Sequence, residues 1–344
     1  MDYKQSGVDI DAGNEVVRRI RSLAKGTFTP GVLSEIGSFG GLFHLGAAGL
    51  ADPVLVASAD GVGTKLKIAF MTGIHSTIGV DLVNHCVNDI LVQGAQPLFF
   101  LDYLATGRLE PDVAVQIVQG LAAACRENGC ALLGGETAEM PGFYAEGEYD
   151  VAGFIVGAVS RHALVDGQSI VPGDVLIGLP SSGLHTNGYS LARRIAFDIA
   201  KLEATTLVPE LGTSIGTALL APHRSYLPVI RPILAERLIK GMAHITGGGI
   251  TDNLPRILPQ GTSAVIDRTT WRPPAIFQWL QRTGGVPEGD MLRTFNMGIG
   301  LIVACDPRDE QRLLGMLVAS GEPHAVRIGE IRAGRGDVLY RIGV

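Results

Sequence analysis

Charged residues are scarce in this chain, and lysine is much scarcer than arginine. Only 18% of the 344 residues are charged, against roughly 25% in an average globular protein. Six of the 28 basic residues are lysines. The low charge content predicts extensive burial that includes a subunit interface, so we expect an oligomer. A net charge of −6 excludes the broad positive surface that nucleic-acid binding requires.

Cysteine patterns and long apolar runs are also missing. The four cysteines, Cys86, Cys125, Cys130 and Cys305, show no C-x-x-C pair and no His/Cys spacing typical of zinc. They indicate reduced thiols and not a disulfide framework. No apolar run approaches the roughly 18 residues of a membrane span, and residues 1–5 lack a signal pattern. We therefore expect a cytoplasmic protein with no membrane partner.

The length of the chain and its alternating patterns predict two domains of mixed α and β structure. A chain of 344 residues exceeds what one ordinary core accommodates. Turn signals cluster at Asp166-Gly167-Gln168-Ser169 and again at Pro172-Gly173, where a new series of elements begins. We place the boundary there, giving domains 1–168 and 169–344. Both belong to the α/β or α+β class.

Hydrophobic periodicity assigns the elements of each half. In the first half it predicts helices at 11–25, 77–93 and 111–127, and strands at 53–57, 98–104, 131–133 and 151–159. In the second half it predicts helices at 188–200, 218–238, 250–258, 275–282 and 308–320, and strands at 175–179, 263–266, 297–304 and 325–331.

A glycine loop follows the first predicted strand, with the sequence Asp60-Gly61-Val62-Gly63-Thr64-Lys65. Glycines let the backbone approach an anion, the hydroxyl and the lysine add donors, and the aspartate can bind a hard cation. Leu66 breaks both the Walker phosphate-loop pattern and the dinucleotide-binding pattern. The loop alone predicts a phosphate or metal site, and a simple tight turn explains it about as well.

Further carboxylates occur on the helix predicted at 77–93 and after the strand at 131–133. Asp81, His85, Asn88 and Asp89 fall on one face of that helix. Gly134-Gly135-Glu136 begins a predicted loop. Asp60, Asp89 and Glu136 could jointly supply the hard oxygen ligands that Mg²⁺ prefers. The alternative for the helix is an ordinary solvent-exposed polar face.

Two loops of the second half carry polar groups suited to a second anion. Residues 181–190 leave a strand and enter a helix, with His185 able to relay a proton and Asn187 able to hold an amide or a hydroxyl. The run His244-Ile245-Thr246-Gly247-Gly248-Gly249 precedes another helix. Backbone N–H groups at helix starts favour anions, so we predict one phosphate site in each half.

These residues together resemble the phosphoribosylformylglycinamidine cyclo-ligase family, also called aminoimidazole ribonucleotide synthetases. The resemblance runs nearly end to end and covers segments 7–14, 60–65, 78–82, 87–89, 97–103, 134–142, 185–190, 244–249 and 293–296. The most particular of them are Gly-Gly-Glu-Thr-Ala-Glu-Met-Pro-Gly at 134–142 and Thr-Gly-Gly-Gly after His244-Ile245.

The resemblance implies an ATP-dependent ligase of purine biosynthesis with a two-domain synthetase fold. The implied reaction cyclises formylglycinamidine ribonucleotide to aminoimidazole ribonucleotide with ATP and magnesium, releasing ADP and phosphate. The implied protein is a homodimer whose N-terminal domains pair strands into a barrel across the two-fold axis, with C-terminal α/β domains outside.

The resemblance also implies roles for individual residues. The implied magnesium ligands are Asp60, Asp89 and Glu136. The substrate phosphate is implied to bind to Thr246, Gly247 and Gly248. The implied ATP-binding residues are Gly61, Gly63, Thr64, Lys65, Asp81 and Asn88. His185, Asn187 and Lys65 are the candidate catalytic residues, with His185 as the proton carrier.

Two other interpretations remain at this stage. Related ATP-dependent synthetases share the glycine-loop pattern, although selenophosphate synthetase needs a reactive N-terminal cysteine and no cysteine precedes Cys86. A non-catalytic nucleotide sensor is the alternative from another class. Retention of all three acidic residues favours catalysis over sensing.

Overall fold

The structure is a computed structural model that describes residues 10–36 and 40–341. Residues 1–5, and the 7–9 part of the first matching segment, therefore lie outside the described residues. The chain divides into two compact units. Unit 1 comprises the described residues up to Ile90 together with Ala95–Arg161, and unit 2 comprises Leu91–Gly94 together with the described residues from His162 onward. None of the described helices has the length and apolar character needed to cross a membrane.

Unit 1 is a four-stranded sheet with helices. Its strands are β1 (Pro53–Gly61), β2 (Gln96–Thr106), β3 (Ala131–Glu139) and β4 (Tyr149–Ser160). Its helices are α1 (Ile10–Lys25), α2 (Leu66–Thr72), α3 (Ser76–Leu91) and α4 (Pro111–Glu127). The strand order is β1-β4-β2-β3, and only β2 and β3 run parallel. The two edge strands are therefore β1 and β3.

The strands of unit 1 present two different faces because successive side chains alternate. In β1, Val56 is buried on one face while Leu55, Ala57 and Ala59 are exposed on the other. The register places Phe154 beside Ala59 on that second face. We call this second surface the open face; its apolar members are Leu55, Ala57, Ala59, Phe99, Leu101, Phe154 and Val156.

Helices α3 and α4 approach closely through two glycines. A Cβ atom on Gly79 would lie 2.2 Å from the carbonyl oxygen of Ile117, and one on Gly120 would lie 1.9 Å from that of Ser76. These obstacles are backbone atoms, which cannot move aside as a flexible side chain can. The glycines thus fix the position of α3, the helix that carries the polar stripe.

Unit 2 is built on a six-stranded sheet. Its strands are β5 (Val175–Pro180), β6 (Leu207–Val208), β7 (Thr213–Ser214), β8 (Ile239–His244), β9 (Thr262–Asp267), β10 (Ile299–Cys305), β11 (Val326–Ala333) and β12 (Val338–Arg341). The sheet order is β12-β9-β11-β5-β10-β8, while β6 and β7 form a separate pair. Only β12 and β9 run parallel in the large sheet. Mixed and mostly antiparallel sheets place both units in the α+β class.

Seven helices accompany these strands: α5 (Tyr189–Arg193), α6 (Ile215–Leu219), α7 (Leu227–Leu234), α8 (Gly249–Asn253), α9 (Ala275–Gly284), α10 (Glu288–Thr294) and α11 (Glu310–Ala319). Strands β5 and β9 are buried along nearly their whole length, and every residue of β10 is buried. Ile302, Ile328 and Leu176 belong to the core cluster of this unit. Buried strands therefore support the loops that leave β5 and β8.

Two predicted elements differ clearly from the structure, and several observed elements, β8 among them, were not predicted. The strand predicted at 131–133 continues through Gly134 to Glu139, so the expected flexible loop around Glu136 is strand. The helix predicted at 218–238 is two helices, α6 and α7, separated by a segment containing Pro222. Strand β8 was missed because nearly all of its residues are buried, which removes the alternation that marks a half-buried strand.

The glycine contact between α3 and α4 leads to a stability prediction. Gly120→Ala places a methyl group against the carbonyl of Ser76, and overpacking of this kind costs about 1–3 kcal/mol. We expect a lower midpoint in chemical denaturation. The matched control is Gly13→Ala in α1, where nothing lies within 4 Å of the new methyl group. That control should be neutral or slightly stabilising, and equal effects of the two substitutions would contradict the packing argument.

Candidate active site

An acidic cluster lies where the end of β1 meets α3. The Oδ2 atom of Asp60 is 2.7 Å from Nε2 of His85, and the same nitrogen is 3.8 Å from Oδ2 of Asp89. Ser58 donates from Oγ to Asp89 at 3.0 Å, and the Gly61 N–H donates to Asp60 at 2.7 Å. Two predicted metal ligands, Asp60 and Asp89, are thereby brought to one imidazole.

The electrostatics of this cluster favour positive charge. Burial tends to lower the pKa of His85, but the hydrogen bond with Asp60 and the charges of Asp89, Asp60 and Asp81 leave it raised. Burial tends to raise the pKa of Asp60, and the hydrogen bond and charge of His85 leave it lowered. Carboxylate oxygens are the ligands that a hard divalent ion prefers, and here two carboxylates lie close to one positively charged group. Asp60 and Asp89 therefore fit a magnesium ion in chemical type.

The glycine loop continues from β1 as a short turn. Gly63 has φ +65°, in the left-handed region that glycine favours. Gly63 and Thr64 are exposed, while Gly61 is partly buried. The backbone and hydroxyl of this loop are thus accessible beside the acidic cluster, as a phosphate-binding role requires.

Lys65 and Asp81 form a buried ion pair beneath that loop. Lys65 Nζ lies 2.8 Å from the Asp81 carboxylate, and both side chains are 0% exposed. Burial lowers the pKa of Lys65, and the charge and hydrogen bond of Asp81 oppose that shift. Asn88 is also fully buried on α3. The polar stripe of α3 is therefore internal and not a solvent-exposed face; direct contact of Lys65, Asp81 and Asn88 with ATP stays a prediction.

Glu136 does not join Asp60 and Asp89 within one chain. Asp60 pairs with Gly153, Gly153 with Asp102, and Asp102 with Gly135, so these four residues form one row across the sheet. Glu136 is one residue beyond that row and points to the opposite face, the open face. Asp60 and Glu136 also lie on the two edge strands, β1 and β3, which are three strand spacings or about 14 Å apart across the sheet. Of the three predicted metal ligands, the structure thus brings only Asp60 and Asp89 together within one chain, and the metal-binding role of all three stays a prediction.

Asp102 is a carboxylate to which the sequence analysis gave no role. It lies in the same row as Asp60 and faces the same side of the sheet. Burial raises its pKa to about 7. A Cβ atom on Gly135 would fall 2.3 Å from its Oδ1, so Gly135 leaves space for this side chain. An aspartate inside an otherwise apolar strand, beside a Gly-Gly pair on the neighbouring strand, was the signal for it.

His185 lies in the loop between β5 and α5, in unit 2. It has φ +61°, an unusual conformation for a histidine. Its side chain is fully buried, and its Nε2 accepts a hydrogen bond from the backbone N–H of Ser182 at 3.1 Å. Gly300 on β10 leaves room for the ring, since a Cβ there would lie 2.7 Å from His185 Cε1. These contacts favour hydrogen-bond donation from Nδ1 over proton uptake at Nε2.

The loop after β8 carries the predicted phosphate-binding residues. Asn253 braces it: its Nδ2 donates to the carbonyl oxygens of Gly247 at 3.0 Å and Gly249 at 2.8 Å. Its Oδ1 accepts from Thr246 Oγ1 at 3.2 Å. A Cβ atom on Gly247 would lie 3.1 Å from Asn187 Oδ1. The structure thus brings Asn187 to the Thr246–Gly248 turn, and a cavity of about 610 Å³ lined by Gly248 and Arg293 opens beside it.

Comparison with known proteins assigns both units. Residues 46–159 match the family model described as AIR synthase related protein, N-terminal domain, and residues 171–342 match the corresponding C-terminal domain. A phosphoribosylformylglycinamidine cyclo-ligase of Trichlorobacter lovleyi is 55% identical over 96% of this chain and 95% of its own. One from Desulfitobacterium hafniense is 54% identical over 98% of each chain. The chain belongs to the phosphoribosylformylglycinamidine cyclo-ligase family.

Solved structures similar to this family member show the same fold at low sequence identity. A thiamine-monophosphate kinase from Stenotrophomonas maltophilia superposes with a TM-score of 0.67 at 19% identity, covering 95% of each chain. The hydrogenase maturation protein HypE of E. coli gives 0.67 at 17% identity, over 95% of this chain and 93% of its own. A HypE structure in complex with ATP gives 0.66 at 18% identity, over 94% and 90%.

The buried Lys65–Asp81 pair yields a double-mutant test. Lys65→Met leaves a buried carboxylate without its cation, which typically costs about 3–5 kcal/mol in unfolding free energy, whereas replacing both members by apolar residues is often neutral. We therefore expect Lys65→Met to lower the denaturation midpoint strongly and Lys65→Met/Asp81→Leu to recover most of it.

The control for that cycle is Lys67→Met, which removes the half-exposed ion pair of Lys67 with Glu148. Pairs of this kind contribute about 0–1 kcal/mol. If the double variant were as unstable as Lys65→Met, the pair would not be the reason for the loss. Binding of an ATP analogue to the refolded double variant then measures whether the pair contacts the nucleotide.

Proposed function

We propose that this protein closes the imidazole ring of aminoimidazole ribonucleotide, using ATP and formylglycinamidine ribonucleotide and releasing ADP and phosphate. This is an ATP-dependent ligase reaction of purine biosynthesis, carried out in the cytoplasm. The observation that carries the proposal is the acidic cluster of Asp60, His85 and Asp89 beside the exposed glycine loop. Relatives at 54–55% identity that are named for this reaction support it.

The chemistry requires two events. An amide oxygen is a poor leaving group, so ATP first phosphorylates the formyl oxygen of the substrate. The amino nitrogen of the same molecule then attacks that carbon, loses a proton, and phosphate departs. Because the attack is intramolecular, correct positioning alone can supply about 7–11 kcal/mol of barrier reduction. The protein therefore acts chiefly by activating one oxygen and holding the substrate folded.

Unit 1 holds the nucleotide in this account. Asp60 and Asp89 would hold Mg²⁺, and the backbone of Gly61 and Gly63 with the Thr64 hydroxyl would bind phosphate oxygens. Bound there, Mg²⁺ would neutralise negative charge on the phosphates. Lys65, Asp81 and Asn88 are assigned to the same nucleotide site. Their burial supports a role in holding the loop from beneath.

Unit 2 holds the substrate phosphate. Thr246, Gly247 and Gly248 bind it through backbone N–H groups and the threonine hydroxyl. The brace of Asn253 supports this assignment, because it keeps the turn in one conformation before the ligand arrives. Asn187, beside Gly247, orients the substrate's amide or hydroxyl groups. The buried ring of His185 supports the loop that carries Asn187 from within.

We further propose a homodimer joined through the open face. Leu55 is 58% exposed and Phe154 is 46% exposed on an otherwise apolar sheet surface. Exposed contiguous apolar surface of this kind marks an interaction site. A second copy of the sheet packed on this face would form a barrel. Glu136 faces that side and would be enclosed in the interface, on the opposite side of the sheet from Asp60 and Asp89.

The direct test of activity incubates the protein with ATP, Mg²⁺ and formylglycinamidine ribonucleotide and measures aminoimidazole ribonucleotide. We expect product and ADP in equal amounts. Asp60→Asn should lower turnover by more than about 100-fold, because a ligand to the charge-neutralising ion is lost. Asp112→Asn, on an exposed carboxylate of α4, is the control and should leave turnover unchanged.

Other outcomes of that assay would select other functions. ADP release without the aminoimidazole product would indicate a different phosphotransfer synthetase. Nucleotide binding without any ADP release would indicate a sensor. Full activity of Asp60→Asn would contradict the assigned nucleotide site even if the reaction is correct.

The dimer is tested by a charge placed on the open face. Leu55→Asp and Phe154→Asp should convert a dimer into a monomer in sedimentation velocity, because an unpaired carboxylate cannot be buried cheaply in an apolar interface. Val318→Asp, at an exposed position on α11, should leave the dimer intact. A monomeric wild-type protein at micromolar concentration would contradict the proposal.

A further inference from the structure

Three histidines of unit 2 form one buried cluster. His185 and His223 are fully buried and His244 is nearly so. One ring nitrogen from each histidine lies within 4.8 Å of those of the other two. The rings of His185 and His223 are stacked, with centroids 4.0 Å apart and an interplanar angle of 19°. His223 belongs to the segment between α6 and α7, outside every motif that the sequence analysis assigned to a role.

The hydrogen bond from Ser182 determines the state of His185. Since Nε2 accepts the Ser182 N–H, the neutral ring carries its proton on Nδ1. Protonation of Nε2 would place its N–H group opposite the Ser182 N–H, leaving two donors and no acceptor. His185 is therefore held as a neutral imidazole of one tautomer.

His223 connects the two loops of the proposed substrate site. Its Nε2 lies 3.0 Å from Nε2 of His244, the residue at the end of β8 and two positions before Thr246. Its Nδ1 lies 3.4 Å from Oγ1 of Thr186, in the loop that carries His185 and Asn187. One of the two Nε2 atoms must donate and the other accept, so each ring restricts the tautomer of the other.

The donor arrangement is poorly suited to a metal ion. A bound metal would need an unprotonated nitrogen from each ring. His185 already uses its Nε2 lone pair for Ser182, and its Nδ1 carries the proton. His223 and His244 direct their Nε2 atoms at each other over a single shared proton. The cluster is a hydrogen-bonded bridge.

We propose that His223 is a positioning residue that holds these two loops together through its contacts with Thr186 and His244. This inference rests on the proposed function, because the loops it joins are those assigned to the substrate. We call the bridge Thr186–His223–His244 the clasp. Its contact with Thr186 reaches the loop of Asn187, and its contact with His244 reaches the turn of Thr246, Gly247 and Gly248. Stacking on His185 holds the bridging ring in place.

The kinetic test compares two substitutions at one position. His223→Gln keeps an amide that can either donate to or accept from Nε2 of His244, whereas His223→Phe keeps a stacking ring and removes the hydrogen bonds. We expect His223→Phe to lower kcat/KM for formylglycinamidine ribonucleotide about tenfold with an unchanged KM for ATP, the size of one lost buried hydrogen bond. His223→Gln should recover activity to within about threefold of wild type. Equal activity of the two variants would overturn the proposal.

A second measurement does not depend on turnover. In protein labelled with ¹⁵N-histidine, we expect one N–H proton between the Nε2 atoms of His223 and His244, and a His185 ring protonated only on Nδ1. In His223→Phe, the shared proton should be lost and the Nε2 signal of His244 should shift. His324→Gln, at an exposed position, is the control and should leave these signals unchanged.

Two results of that measurement would overturn the clasp. One is a His244 Nε2 signal that is the same in wild type and His223→Phe. The other is a Co²⁺ complex with tetrahedral absorption bands that forms in wild type and is lost in His223→Phe, which would make the cluster a metal site. Absence of cyclo-ligase activity with the expected spectra would refute the proposed function while leaving the clasp in place.

Discussion

The alternation of side chains along the strands of unit 1 is the constraint on which the rest of the site depends. It directs Asp60 toward α3, where His85 and Asp89 meet it, and it directs Glu136 toward the open face. A shift of register by one residue would exchange these faces. The same alternation leaves Leu55 and Phe154 exposed. Separation of Glu136 from Asp60 and exposure of the apolar face therefore have one cause.

Buried polar contacts hold the remaining parts in position. Lys65 and Asp81 fix the underside of the glycine loop, Asn253 fixes the turn after β8, and His223 joins that turn to the loop of His185. Each of these groups would destabilise the fold if left without its partner. None of them needs to contact a ligand to matter, since intramolecular ring closure depends on how accurately the surrounding loops are placed.

The sequence predicted the class of the fold, most elements, and the residues that form the acidic cluster, because helical spacing and strand–turn patterns are local signals. It missed β8 because a strand buried on both faces shows no alternation. It treated Glu136 as a loop residue because Gly134 and Gly135 suggested a turn, whereas those glycines make room for Asp102 within a continuous strand. It gave no role to His223, whose partners at Thr186 and His244 are distant in sequence. Pairing between strands and between loops is a tertiary property that periodicity does not encode.

We propose that Asp60 and Asp89 hold the magnesium ion of the nucleotide site on the helix-covered face of the sheet, while Glu136 lies on the opposite face. The most direct test measures binding of a Mg²⁺–ATP analogue complex to Asp89→Asn and to Glu136→Gln by titration calorimetry. The account predicts that Asp89→Asn lowers the affinity about tenfold or more, the effect of losing one contact with a charged group. Glu136→Gln should stay within about twofold of wild type. Equal losses of affinity in the two variants, or no loss in Asp89→Asn, would contradict the account.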